Sequence, residues 1–323
     1  MPGTLARGLV AGAAGTTVLN VVTYLDMALR GRPASTTPER TVDAIAAATG
    51  VEVPGRGSVR ESRRTALGAL AGIGTGLGTG VLASAACSAG IRLPGPVGAV
   101  ATGAAAMAAS DVPATLLGVG DPRTWSGADW AADVVPHLAY GATVHAVVQG
   151  VRTDRERAVP RGAASAGLTA RSALLGVAAG SRSALGFAAP ALTAPTKPGR
   201  LGSSSVPARV LGAAALVGEL VADKSPDTPD RTSGPGLAPR LAGAAAGATR
   251  LAERERANAA LPTVAATAGA LAGAFGGLAW RRWATDRLPA WQAAVLEDGV
   301  ALALAALACV PGRNRRPLAV VPG

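Results

Sequence analysis

The sequence predicts an all-α fold: a polytopic transmembrane bundle of about eight or nine helices, some short or broken. Three observations predict it. Hydrophobic residues make up 49% of the 323-residue chain and charged residues 16%, where soluble domains carry about 25% charged residues. Aromatic residues are 3%, so a large soluble core would lack its usual bulky filler. The apolar mass is Ala, Val, Leu and Gly, gathered into stretches near bilayer length, which suits helices packed through small residues.

The first apolar stretch, Leu9 to Leu29, contains Asn20 and Asp26 and follows Arg7. Its polar residues spoil a signal-peptide core and no small-residue cleavage site follows, so a retained first span is expected. Residues 30–64 form a basic connection with Arg30, Arg32, Arg40, Arg56, Arg60, Arg63 and Arg64, and Thr41 to Ala48 reads as a short helix within it. The arginines point to a cytoplasmic loop facing anionic lipid. Ala66 to Ala86 is the second span. Pro96 to Ala109 is the third, with Asp111 and Pro113 expected to break it. Trp130 to Val148 is the fourth, anchored by Trp125 and Trp130 at the interface.

A polar hinge at 152–162 separates an N-terminal membrane module, 1–151, from a C-terminal one, 163–323. The second module begins with Ala163 to Leu192, interrupted at Gly180, Arg182 and Pro190. Val210 to Val221 and Leu237 to Leu251 are short, and Leu261 to Trp280 and Leu288 to Val310 are long enough to cross. The basic segments at 30–64 and 152–161 would fall on opposite sides of three full spans, so charge leaves the orientation open.

The net charge of +11 is nearly all arginine, Lys197 and Lys224 being the only lysines. The arginines lie between apolar stretches, without stacking aromatics or a nucleic-acid motif, so membrane lipid is the expected partner and nucleic acid is not. A GC-rich coding sequence gives the same bias toward Ala, Gly, Arg and Pro. The oligomeric state is not legible.

Glycines recur every four residues at Gly68, Gly72, Gly76 and Gly80, and again at Gly269, Gly273 and Gly277. This zipper pattern puts them on one helix face and predicts close helix packing. Gly78-x-Gly80-x-x-Ala83 fits a loose dinucleotide fingerprint but lies within an apolar helix without a preceding strand, so no cofactor is expected.

Charged residues within apolar segments are the candidate site. Asp133 and His137 are four apart on one helix face. Arg171 and Arg182 recur in Arg-Ser-Ala-Leu; on a continuous helix they share a face about 16 Å apart. Glu219 and Asp223 are four apart, and Glu297 and Asp298 are adjacent in the last segment. Charges at membrane depth are costly, so these residues either form structural ion pairs or line a polar pathway. Two histidines without metal-ligand spacing and two separated cysteines, Cys87 and Cys309, give no metal site. There is no G-x-S-x-G, Walker loop or Cys/His pair, so an enzyme is not expected.

Arg171-Ser172 through Gly180-Ser181-Arg182-Ser183, then Gly218-Glu219-Leu220-Val221-Ala222-Asp223-Lys224-Ser225-Pro226 with Pro229-Asp230-Arg231-Thr232, and finally Leu296-Glu297-Asp298, carry a likeness. On these residues the second module resembles a bacterial integral-membrane family, common in actinobacteria, classed as a domain of unknown function. The resemblance covers about half the chain and implies a small multi-helix membrane domain with no assigned activity. The first module looks like an actinobacterial membrane protein of no particular family. The expectation is a multi-pass plasma-membrane protein that transports a small solute or ion, or alternatively a structural or partner-binding one.

Overall fold

The computed structural model describes residues 3–196, 204–222 and 231–310. Among them are twelve α-helices, a single 3-10 turn and no β-strand, so the chain is all-α. Backbone packing divides it into two compact units, Met1–Ser88 with Arg92–Ala158, and Ala89–Ile91 with Val159–Gly323.

The first unit holds α1 (Thr4–Arg30), α2 (Thr37–Thr49), α3 (Gly57–Ala89), α4 (Gly95–Leu116), α5 (Gly127–Gly150) and α6 (Asp154–Ala158). α1 stops where Gly31 turns left-handed at φ 64°, beyond the reach of most residues with a side chain. α5 starts at a capping box: Ser126 Oγ accepts from the Asp129 N–H, and the Asp129 carboxylate accepts from the Ser126 N–H. α4 runs through Asp111 and Pro113, where the sequence suggested a break. Pro113 sits in the last turn, so it interrupts the helix near an end whose bonds are few. Within the stretch 152–162, residues 154–158 are helical and the Glu156 side chain is buried.

The second unit holds α7 (Ala166–Ser181), α8 (Ser183–Leu192), α9 (Val206–Ala222), α10 (Gly234–Arg254), α11 (Ala260–Thr285) and α12 (Ala290–Cys309). Ser165 and Ser233 cap α7 and α10 by accepting from Leu168 N–H and Gly236 N–H. The helices outnumber the eight or nine expected. Two short ones, α2 and α6, lie in polar segments, and one apolar stretch splits into α7 and α8.

Among the described residues, four helices are long and apolar enough to cross a membrane: α1, α3, α11 and α12. α4 and α5, also read as spans from sequence, have the length but are not among these four.

Close backbone approach organises each unit. In the first, a Cβ added at Gly80 would lie 2.5 Å from the Gly8 carbonyl oxygen and 2.6 Å from Gly12 Cα. One added at Gly12 would lie 2.7 Å from the Gly76 carbonyl oxygen. The Tyr140 hydroxyl, 1% exposed, donates to that same Gly76 carbonyl at 2.6 Å and ties α5 to the pair. In the second unit, α7 and α11 interlock reciprocally: Gly176 and Gly180 face the Ala266 and Ala270 carbonyls, and Gly269 and Gly273 face those of Ala173 and Val177.

The zipper expectation needs two corrections. Gly72 has no atom within 4 Å of an added Cβ and is exposed, while Gly68 meets Pro38 of α2. The close α1–α3 contact covers Gly76 and Gly80 and does not extend to Gly72. At Gly277 the nearest atoms belong to side chains: an added Cβ would lie 2.7 Å from Glu297 Oε1 and 2.8 Å from Arg231 Nη1. It makes room for an ion pair.

These contacts fix an expected contrast. Gly80→Ala forces α1 and α3 apart and lowers stability by about 1–3 kcal/mol, as overpacking does. Gly72→Ala, on the open side of the same helix, stays within about 0.5 kcal/mol of wild type. Thermal unfolding of both variants in one detergent checks the difference.

Candidate functional site

The sequence marked Arg182 as an interruption, and there the helix breaks. Arg182 adopts an extended conformation, φ −136° and ψ 106°, and serves as both the last cap of α7 and the first of α8. A break exposes carbonyls on one half-helix and N–H groups on the other, and inside a membrane protein both sets need partners. Here each has one. Glu219 of α9 accepts from Ser183 N–H at 2.7 Å and Ala184 N–H at 2.7 Å, and from the Ser183 hydroxyl at 2.8 Å. Arg240 of α10, 8% exposed, donates through Nε to the Gly180 carbonyl at 3.0 Å and through Nη1 to the Gly236 carbonyl. An anion thus sits at the N-terminal end of α8 and a cation at the C-terminal end of α7, each favoured by the helix dipole.

The Arg182 side chain is 6% exposed and its Nε donates to Asp298 Oδ1 at 2.7 Å. Beside Asp298, Glu297 is buried and binds two guanidinium groups, Arg231 at Oε1 and Arg281 at Oε2, each at 2.5 Å. Glu297 and Asp298 stand about 10–12 Å along α12 from its first residue, so these pairs meet the interior of a helix of spanning length. The structure therefore brings Arg182, Glu219 and Asp298 to the α7–α8 break, while Glu297 forms a separate cluster with Arg231 and Arg281 beside Gly277. Asp223 lies outside the described residues.

Arg171 does not join them. Because α7 ends at Ser181, the two arginines are not on one continuous helix. Arg171 binds Glu255 at the end of α10 and donates to the Val310 carbonyl at the end of α12, at 2.8 Å. It is a clamp on helix ends.

In the first unit, Arg7 is 1% exposed. Its guanidinium spans Glu156 at 2.8 and 2.9 Å, Ser84 Oγ at 2.9 Å and the Ser84, Val148 and Val151 carbonyls. This lock ties α1, α3, α5 and α6 together. Burial works to raise the Glu156 carboxyl, but Arg7 and the Thr153 N–H outweigh it and hold the carboxyl below the usual range. The lock was not legible as a site, since Arg7 reads as a flanking charge and Glu156 as part of a polar connection.

Asp133 and His137 share a face of α5, as expected. His137 Nδ1 lies 2.8 Å from the Asp133 carbonyl, which only accepts, so Nδ1 carries the hydrogen; Asp133 Oδ1 is 3.4 Å away. Asp111 of α4, read from sequence as a helix breaker, brings its carboxyl within hydrogen-bonding reach of Asp133. Sequence reasoning also missed Arg231, Arg240 and Arg281 as partners. Two of them had a signal: Arg240 stands inside an apolar segment, and Arg231 lies in the stretch that carries the family resemblance.

Among the described residues, no group of three His, Cys, Asp or Glu is placed to hold a metal ion. Cys87 and Cys309 are buried free thiols. The arrangement can bind and neutralise charge and can hold main-chain polar groups at a helix break. No protein-family profile, curated protein or solved structure matches the chain.

Glu156→Gln leaves Arg7 buried without its counter-ion and lowers stability by about 3–5 kcal/mol. The pH dependence follows from the depressed carboxyl. Its contribution is complete above the unfolded value, about pH 4.3, and is lost as pH falls through the lower folded value. Unfolding followed from neutral pH into acid shows this loss in wild type and a flatter profile in Glu156→Gln.

Proposed function

We propose that this chain is a multi-pass plasma-membrane protein that carries a small ion or polar solute past the α7–α8 break. The observation behind this reading is that break. Interrupted helices whose ends face charged groups are how membrane carriers present main-chain dipoles to a substrate. Here Glu219 occupies the N-terminal end of α8, Asp298 pairs with Arg182 at the break, and the adjacent residue of α12, Glu297, holds Arg231 and Arg281. A small anion could replace the Glu219 carboxylate at the α8 N–H groups, and a small cation could compete for the carboxylates.

A second reading has its own support. Each of Glu219, Glu297 and Asp298 already has a partner, which suits a static scaffold holding a partner protein or lipid.

Two measurements separate the readings. Proteoliposomes loaded with pH-, cation- or chloride-sensitive dyes are compared with protein-free vesicles. Transport predicts a flux that Glu219→Gln and Asp298→Asn reduce to background while helical content stays at the wild-type level. Flux unchanged in both variants removes these residues from the mechanism. In a background with Cys87→Ala and Cys309→Ala, Glu219→Cys should react fast with a membrane-impermeant thiol reagent, and Val217→Cys slowly. No labelling of a folded Glu219→Cys variant from either side favours the scaffold.

A further inference from the structure

The ion pairs of the second unit are closed, and the Arg7 lock is closed. The Asp111–Asp133 contact is not. One oxygen of each carboxyl has a polar neighbour: Asp111 Oδ1 accepts from Ser110 Oγ at 3.3 Å, and Asp133 Oδ1 lies 3.4 Å from His137 Nδ1, whose hydrogen goes to the Asp133 main-chain carbonyl. The remaining oxygens, Asp111 Oδ2 and Asp133 Oδ2, are shielded from solvent and have no hydrogen-bond donor. Yet the two carboxyl groups are within hydrogen-bonding reach of each other.

Two ionised carboxylates are acceptors only, so neither can satisfy the other. They also repel, and buried oxygens without a donor are costly. One added proton removes both problems: it makes one carboxyl a donor to the other and takes the pair from doubly to singly negative. No neighbouring cation does this instead. Asp129, on the same helix, is engaged by its Ser126 cap. Asp26, Arg30 and Arg32, at the end of the adjacent α1, pair with one another. Asp121 pairs with Arg123 in the turn between α4 and α5. His137 is the remaining titratable group at the contact, and it is engaged with Asp133.

We propose that Asp111 and Asp133 are a reversible proton-binding site in which one proton is shared across the α4–α5 contact, with His137 adjoining it. The pair is not sealed inside the unit, because the Asp133 side chain keeps 25% of its surface clear of the protein and His137 keeps 14%. The proton comes from and returns to water, and the site titrates as a coupled unit. A carboxyl pair beside a histidine on facing helices is suited to proton uptake that tightens the α4–α5 contact and proton release that loosens it. The proposal does not depend on transport at the α7–α8 break.

The test is infrared difference spectroscopy on the full-length protein in nanodiscs, titrated from about pH 8 to about pH 5 around the histidine range. As the pH falls, wild type should show the C=O stretch of a protonated carboxyl growing in on the alkaline side of ordinary aspartates, before about pH 5 is reached. Asp111→Asn and Asp133→Asn should each abolish that band. Asn resembles a protonated Asp in shape and can donate across the contact, so both variants should keep wild-type circular dichroism. Asp121→Asn, in the exposed Arg123 pair, should leave the band untouched, and His137→Gln should shift its midpoint without removing it. A wild-type spectrum in which no protonated carboxyl appears down to about pH 5 overturns the proposal, whether or not the variants fold. So does a band that survives in both Asp111→Asn and Asp133→Asn.

Discussion

A peptide group cannot be left unpaired in a low-dielectric interior, and the α7–α8 break is where this chain meets that constraint. Breaking a helix at Arg182 strands donors on one side and acceptors on the other. Three helices other than α7 and α8 send side chains to deal with the consequences: Glu219 from α9, Arg240 from α10 and Asp298 from α12. The positions of those helices are therefore linked through one short irregular segment. Arg182 is central because its main chain makes the break while its guanidinium supplies the cation that Asp298 needs. Truncating any one of these groups leaves a buried charge or a main-chain dipole without a counterpart, whereas an amide of the same shape keeps part of the hydrogen bonding, so the cluster is coupled through polar contacts.

Small residues make this geometry reachable. A carboxylate can cap a neighbouring helix only if the axes are close, and close axes require that backbones meet without side chains between them. The reciprocal seating of Gly176 and Gly180 against Ala266 and Ala270, and of Gly269 and Gly273 against Ala173 and Val177, does this for α7 and α11. Gly277 continues the same spacing but works differently, leaving a hollow that the Glu297–Arg231 pair fills. One glycine pattern thus serves both backbone contact and charge pairing. The Gly76 carbonyl in the first unit is a parallel case, since the Gly12 approach leaves it able to accept from Tyr140 as well.

The helices were legible because apolar stretches and their polar interruptions have a one-dimensional signature. The Arg182 break was legible for the same reason, as was the shared face of Asp133 and His137. Partner identity was not. Glu219, Glu297 and Asp298 could be recognised as costly charges, but nothing in their spacing reveals that one caps α8, another holds two arginines and the third meets Arg182. Arg7 and Glu156 were harder still, being 149 residues apart and each looking like an ordinary flanking or loop charge. Gly72 shows the converse limit: a regular four-residue spacing places a residue on a face but does not say how far the neighbouring helix follows that face.

The contrast between closed and open charge clusters bears on what the protein does. Arg7 with Glu156, and Arg182 with Asp298, pair groups of opposite sign whose needs are met without any added particle. Such pairs exchange a partner only for an ion that meets the charge left behind, because an unpaired buried charge carries a large desolvation cost. Asp111 and Asp133 are of one sign and remain unsatisfied until something positive arrives. A site that needs a particle from outside is where a fold can respond to its surroundings. The first unit places this open contact between helices already fixed elsewhere: α5 by Tyr140 and by the Val148 and Val151 carbonyls on Arg7, and α4 by Gly103 and Gly141 meeting backbone to backbone. With both helices anchored a few turns away, a change of charge at their Asp111–Asp133 contact can act on that end alone, and the rest of the unit need not move.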